Sequence, residues 1–338
     1  MAVRHPRVPS TRVLESWHSR FIADPVPSPQ TRLMRFLRTS EPEANRPANA
    51  LKAGAFPAGD DAGVTLALGG GFSRGFAHLG VLDVLEQEQV AIAAIVGTSI
   101  GGLLGAAYAD GISVRDLCDL GRQVKIRDFL RFQHIGTGAN GQRKDCIGKF
   151  VQEWFSARQL EELRIPTAIV TTNLDTGAPF VFTRGPVETA VRATCAFPGL
   201  VKPVEYEGHL LADGCIVAPV PTQIAARISG GLVLGVNVAP NEVGAPSPEN
   251  VVRFLDSRWR AAHRMALEPS WTRDAAILLE PQVQHIDWND FSRVDEAFAA
   301  GAEAMRRALP SLREMLARQS EMALSTGMPL QTESRVAL

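Results

Sequence analysis

Short apolar runs recur along this chain, each ending at glycine or a polar turn. "VTLAL" (64–68) stops at three glycines, and a helical pattern then runs through Phe76, Leu79, Val81, Leu82 and Leu85. "AAIVG" (93–97) is a second run, and the small-residue stretch "IGGLLGAAYA" follows it as a helix. "TAIVTTN" (167–173) and "GLVLGVNV" (231–238) repeat the theme, and "AAILLE" (275–280) reads as a last strand. Strands that are apolar throughout, alternating with helices, are buried on both faces. The pattern therefore predicts an α/β fold with a mainly parallel sheet.

The flanks read differently. Residues 1–60 are rich in Pro, Arg and Ser and hold no sustained apolar period, which predicts a flexible basic leader. Within it, "TRLMRFLR" (31–38) sets Arg32, Arg35 and Arg38 beside Leu33, Met34, Phe36 and Leu37. As a helix this presents a basic edge and an apolar face, suited to peripheral contact with an anionic membrane or to docking on the protein's own surface. The second use is preferred here. "HIGTGANGQ" (134–142) and "APNEVGAPSPEN" (239–250) read as loops, and the polar residues 319–338 as a frayed tail. No internal repeat is present, so residues 64–310 are read as one domain.

Composition narrows the class. The chain has 338 residues, 45% hydrophobic and 21% charged, with a formal net charge of −1, which suits a soluble globular protein and argues against a nucleic-acid partner. No segment approaches the apolar length of a membrane span, and the first 20 residues lack the apolar core of a secretory signal. Cys118, Cys146, Cys195 and Cys215 form no Cys-x-x-Cys pair and read as small buried side chains in a reducing compartment. The cytoplasm is the expected location.

The candidate chemistry centres on "IVGTSIGGLLGAAYADG" (95–111). A serine hydroxyl is a weak nucleophile until a base takes its proton and the backbone presents it to substrate. Gly97-Thr98-Ser99-Ile100-Gly101 lies between a strand and a helix, where flanking glycines relieve the crowding of a sharp turn. The helix amino terminus adds partial positive charge beside Ser99. Such a motif also arises by chance, so it needs support from elsewhere in the chain.

Support comes from "GGGFSRG" (69–75), which follows a strand and precedes a helix, so its N–H groups can converge on one cleft. It is not a Walker A loop, because no Gly-Lys-Ser/Thr follows. As a dinucleotide loop it fails at its middle glycine, which is Phe72. None of the seven histidines (His5, His18, His78, His134, His209, His263 and His285) has a setting that marks it as a base. In "YEGHLLADGCIVAPVP" (206–221), by contrast, a short strand delivers Asp213 into an abrupt Asp-Gly turn. An aspartate there can accept the serine proton directly if it lies within hydrogen-bond reach. An Asp-Gly pair is also an ordinary hairpin turn.

Taken in order, the glycine loop, the Gly-x-Ser-x-Gly and the Asp-Gly resemble the patatin-like phospholipase family, in its bacterial and neuropathy-target-esterase-like branch. "LALGGGFSRGFAHLGVLDVLE" resembles the oxyanion segment, "IVGTSIGGLLGAAYA" the nucleophile elbow, and "ATCAFPGLVKPVEYEGHLLADGCIVAPVP" the aspartate segment. "DFSRVDEAFAAGAEA" (290–304) is similar to the family's closing helix. The resemblance implies a three-layer α/β/α fold and a Ser-Asp dyad with Ser99 as nucleophile and Asp213 as base. It further implies an oxyanion site from the N–H groups around Gly70, Gly71 and Phe72, with Arg74 bracing the loop, and elbow and turn glycines at Gly97, Gly101 and Gly214. The expected substrate is a phospholipid or lysophospholipid, with no metal and no cofactor required. Two positions depart from the family pattern: Phe72 stands where many members have glycine, and Cys215 where many have Gly or Ala.

Other functions stay open on the sequence alone. An α/β-hydrolase-type esterase would use His263 or His285 as base. A malonyl-type acyltransferase would carry histidine before its serine, where this chain has Thr98. A non-catalytic adaptor would dock on a membrane or partner through residues 31–38.

Overall fold

The computed structural model describes residues 63–124, 151, 155, 158–197, 201–229, 231–238 and 274–325. The basic leader with its 31–38 segment, the two expected loops, Cys146, His263 and residues 326–338 lie outside them. One sheet is built from β1 (Val64–Leu68), β2 (Ile92–Thr98), β3 (Thr167–Asn173), β4 (Pro179–Phe182), β5 (Val204–Tyr206), β6 (His209–Asp213), β7 (Leu232–Val236) and β8 (Ile277–Leu279). The spatial order is β5-β6-β3-β2-β1-β7-β8, with β4 paired to β3. From β3 to β8 every neighbour along that path is parallel, whereas β4, β5 and β6 pair antiparallel.

Burial on both faces explains the apolar strands. Leu66, Leu68, Ile95 and Ile169 point into one core, shared with α1 (Ala77–Gln87), α2 (Ile100–Ala109), α3 (Val114–Gln123), α4 (Val187–Thr194) and α6 (Val294–Ser325). Ala67, Val96, Ala168 and Val170 point the other way, onto Ile224, Ala225 and Ile228 of α5 (Thr222–Ser229). The alternation is the period-two signature of a strand, and the helices complete the three-layer α/β/α arrangement. Each fully buried Leu or Ile contributes roughly 1.5–3 kcal/mol of transfer free energy.

Two strands escape the sequence pattern. β4 is only "PFVF" and opens on proline, while β5 is "VEY" with a polar centre, so neither is long enough to display a period. The closing helix runs further than its motif, through Ser325, well into the stretch expected to fray.

The feature that creates the site is the way two strands share one edge of β3. Residues Thr167–Val170 pair with β2 in parallel, from Ile95 to Thr98. Beyond them, Thr171–Asn173 pair with β6 antiparallel, Thr171 opposite Asp213. Because β4 occupies the other edge at both Ile169 and Thr171, β2 and β6 must lie on the same side. They run toward each other, and their carboxyl ends meet at Val170 and Thr171.

Candidate active site

Ser99 and Asp213 close those two strand ends. Ser99 Oγ donates to Asp213 Oδ2 at 2.7 Å, although 114 positions separate them. Asp213 is 1% exposed and Ser99 7%, so the alcohol is the member nearer solvent. Burial pushes the Asp213 carboxyl up to about 6, against the Cys215 N–H, the Ser99 hydroxyl and the Cys215 thiol, which all favour the carboxylate.

The elbow carries its strain on the serine itself. Ser99 has φ 54° and ψ −125°, a conformation that costs an L-residue of order 1–3 kcal/mol. At Gly97 and Gly101 there is no room for a side chain. A methyl on Gly97 would come within 2.6 Å of the Gly101 oxygen, and one on Gly101 would run into the main chain of Leu68 and Gly69. Gly214 also acts through space, since its missing methyl would strike the Val170 carbonyl. It lacks the left-handed φ of a hairpin glycine; instead Gly214–Ile216 form a 3₁₀ turn whose Cys215 N–H donates to Asp213 Oδ1 at 2.9 Å.

Thr194, at the end of α4, was not picked out from sequence. Its hydroxyl donates to the Val170 carbonyl (2.5 Å) and accepts the Ser99 N–H (2.8 Å), tying the strained turn to β3. Thr98 Oγ1 similarly donates to the Ala218 carbonyl at 2.9 Å. A single threonine inside an amphipathic helix carries no local signal, so only the fold reveals it. Thr194→Val keeps the shape but strips both partners, at about 1–3 kcal/mol per buried group left unpaired. We expect a lower melting temperature and at least a tenfold slower reaction of Ser99 with a fluorophosphonate, read by intact-protein mass spectrometry.

The glycine loop lies directly against this pair, a methyl on Gly70 coming within 3.1 Å of Ser99 Cβ. The four loop residues differ in what they offer. The Gly70 N–H is committed to the Pro219 carbonyl (3.0 Å), which removes it as the simple oxyanion donor expected from sequence. The Gly71 N–H has no acceptor among the described residues. Phe72 takes the left-handed position, φ 51°, and its ring packs edge-on against Phe197 (5.4 Å) and Trp288 (5.0 Å), contacts that offset the backbone cost. The Arg74 Nε donates to the Ile286 carbonyl at 2.6 Å, while Ser73 bonds the Asp287 and Trp288 carbonyls.

His78 is another residue whose importance the sequence hid. It is fully buried, and its Nε2 lies 2.7 Å from the Gly69 carbonyl. A carbonyl only accepts, so Nε2 carries the proton and holds the loop in place. Its Nδ1 is buried with no partner among the described residues, and burial lowers the imidazole pKa to about 4, more than the Gly69 bond raises it. Among the other histidines, His285 pairs with Glu296 at the surface and His209 lies 3.1 Å from Asn173 Nδ2. Among the described residues, the Ser99 hydroxyl has Asp213 as its partner.

The α/β/α layers, the serine turn at a strand end and the carboxylate facing it define an α/β protein with a strained serine paired to a buried aspartate. Residues 66–226, which hold the glycine loop, Ser99 and Asp213, match the family model described as patatin-like phospholipase, so the chain carries a patatin-like phospholipase domain. It is 35% identical to an uncharacterized NTE family protein of Mycobacterium tuberculosis, over 54% of this chain and 50% of that one. It is 30% identical to patatin-like phospholipase domain-containing protein 7 of Rattus norvegicus, over 53% of this chain and 14% of that one. The chain thus spans about half the length of the mycobacterial relatives it matches, or less of the mammalian one. Among solved structures, VipD from Legionella pneumophila aligns with a TM-score of 0.41 at 13% identity, covering 75% of this chain and 67% of that one. No helix among the described residues is long and apolar enough to cross a membrane.

Proposed function

We propose that this protein is a serine acyl-ester hydrolase that removes fatty acyl chains from phospholipids or lysophospholipids through Ser99 and Asp213. The observation that carries the reading is the 2.7 Å hydrogen bond between the Ser99 hydroxyl and the buried Asp213 carboxylate, with Gly70 of the glycine loop packed against Ser99. Asp213 takes the hydroxyl proton as Ser99 Oγ attacks the ester carbon. The Gly71 N–H, with the positive end of α2, meets the oxygen that becomes negative. Collapse of the tetrahedral adduct expels the glycerol oxygen, which receives the proton from Asp213 and leaves an acyl-Ser99 ester. Water then attacks the ester, Asp213 takes its proton, and the fatty acid departs with Ser99 restored.

The raised Asp213 pKa suits this work. At about 6 the carboxylate is a stronger base than an ordinary aspartate and is still ionised at neutral pH. For a bilayer substrate, the charges of Arg32, Arg35 and Arg38 would favour vesicles containing anionic lipid.

The test incubates the protein with vesicles of mixed phosphatidylcholine and phosphatidylglycerol, and separately with lysophosphatidylcholine. Free fatty acid is counted by mass spectrometry against Ser99→Ala. Release by the wild type alone is expected, with kcat/KM falling tenfold per unit as pH drops below about 6. Equal release by Ser99→Ala, or an acid limb set near pH 4, would sink the mechanism.

A further inference from the structure

The residue after the Asp-Gly turn lies where no ordinary packing residue needs to be. The Cys215 N–H donates to Asp213 Oδ1 at 2.9 Å, which sets its side chain beside the same carboxylate, where the thiol favours the charged form. On its other side the thiol rests on the backbone of Gly70, so closely that a methyl on Gly70 would fall on Sγ. One small side chain therefore bridges the base and the oxyanion loop.

We propose that Cys215 is a positioning residue that sets the proton affinity of Asp213 and the seat of the glycine loop through this one thiol. The inference rests on the Ser99–Asp213 reading above. Asp213 already accepts the Ser99 hydroxyl at Oδ2 and the Cys215 N–H at Oδ1, and in a buried site each further donor stabilises its charged form. The titratable groups that face it among the described residues are the thiols of Cys215 and Cys195, with no cation beside them. Burial, then the neighbouring carboxylate, holds the Cys215 thiol well above its usual range, so it stays a protonated donor rather than a thiolate. Gly70 completes the fit: its missing side chain is the space the sulfur fills.

The experiment measures the rate of fluorophosphonate labelling against pH for the full chain, four variants and a Ser99→Ala control, each checked by thermal melting. Cys215→Ala should move the acid midpoint to higher pH by about 0.5–1 unit, the effect of losing one donor to a buried carboxylate. Cys215→Ser, which keeps a donor, should bring it back toward the wild-type value. Gly70→Ala should label at least tenfold more slowly, and Gly70→Ala with Cys215→Ala should regain most of that rate. A Cys215→Ala midpoint equal to wild type overturns the proposal, as does a double variant no faster than Gly70→Ala. Were the alanine variant unfolded, the infrared S–H stretch of the wild type decides instead. One S–H component should move to higher frequency in Asp213→Asn and below the Asp213 midpoint, and a band indifferent to both overturns the proposal. If the wild type never labels, or Ser99→Ala labels equally, the hydrolase reading is what fails, because the S–H band reports the thiol contact independently.

Discussion

Asp213→Asn is expected to lower kcat/KM for ester hydrolysis by 10²–10⁴ while making the folded protein more stable at pH 8. The loss of activity follows from removing the only group that contacts the Ser99 hydroxyl among the described residues, the scale being that of a general base. The gain in stability follows from linkage. Asp213 titrates near 3.8 in the unfolded chain and about 6 in the folded one. Between these values the folded state holds a proton that the unfolded state has released, so stability falls as pH rises and the loss is complete above about 6. About two units correspond to about 3 kcal/mol, which the asparagine variant does not lose.

His78 works in the opposite direction. Its unfolded value is 6.5 and its folded value about 4, so acidification across that window protonates the unfolded chain first and lowers stability by a similar amount, about 3 kcal/mol. In the wild type the two slopes largely cancel. Urea titrations from pH 4 to 8 should therefore give Asp213→Asn a stability that climbs steeply with pH. The corresponding wild-type contribution is nearly level, and the gap between them is widest above pH 6. Equal curves for the two proteins would show that Asp213 is not held protonated by burial.

The second large effect is structural. Gly101→Ala would set a methyl 2.7 Å from the Gly69 oxygen and closer still to the Leu68 carbonyl, main-chain atoms of β1 and the glycine loop that cannot swing aside. We expect a loss of about 3–5 kcal/mol or failure to fold, on the scale of severe core overpacking. Gly102→Ala is the control. Its methyl would lie 3.1 Å from the Thr194 methyl and 3.2 Å from the Gly97 oxygen, contacts relieved by a shift of a few tenths of an ångström, so it should lose far less than Gly101→Ala. Because alanine is the better helix former at both positions, comparable damage from both would mean that the main-chain approach at Gly101 does not set the cost.

Much of this site was legible in the sequence because it is local. A strand, a sharp turn and a small-residue helix are written contiguously around Ser99, and "HLLADG" places Asp213 at a strand end in the same way. The parallel strands were legible because burial on both faces leaves them wholly apolar. What stayed hidden depends on partners far apart in the chain. Thr194 matters only because α4 brings it under the elbow, and His78 only because α1 folds back beneath Gly69. Gly70 read as an oxyanion donor until the fold supplied Pro219 as its acceptor. The positive φ angles fall on Ser99 and Phe72, not on the glycines beside them, which no rule of glycine preference could have placed.

The shared edge of β3 makes that strand a ruler for reactivity. A slip of β6 by one residue would carry its carboxylate about 3.3 Å along the sheet and turn it to the opposite face. On the proposed mechanism, the Ser99 alcohol gains its base only when the antiparallel half of the sheet is in register. Counting probe-labelled molecules is then also a count of correctly registered sheets.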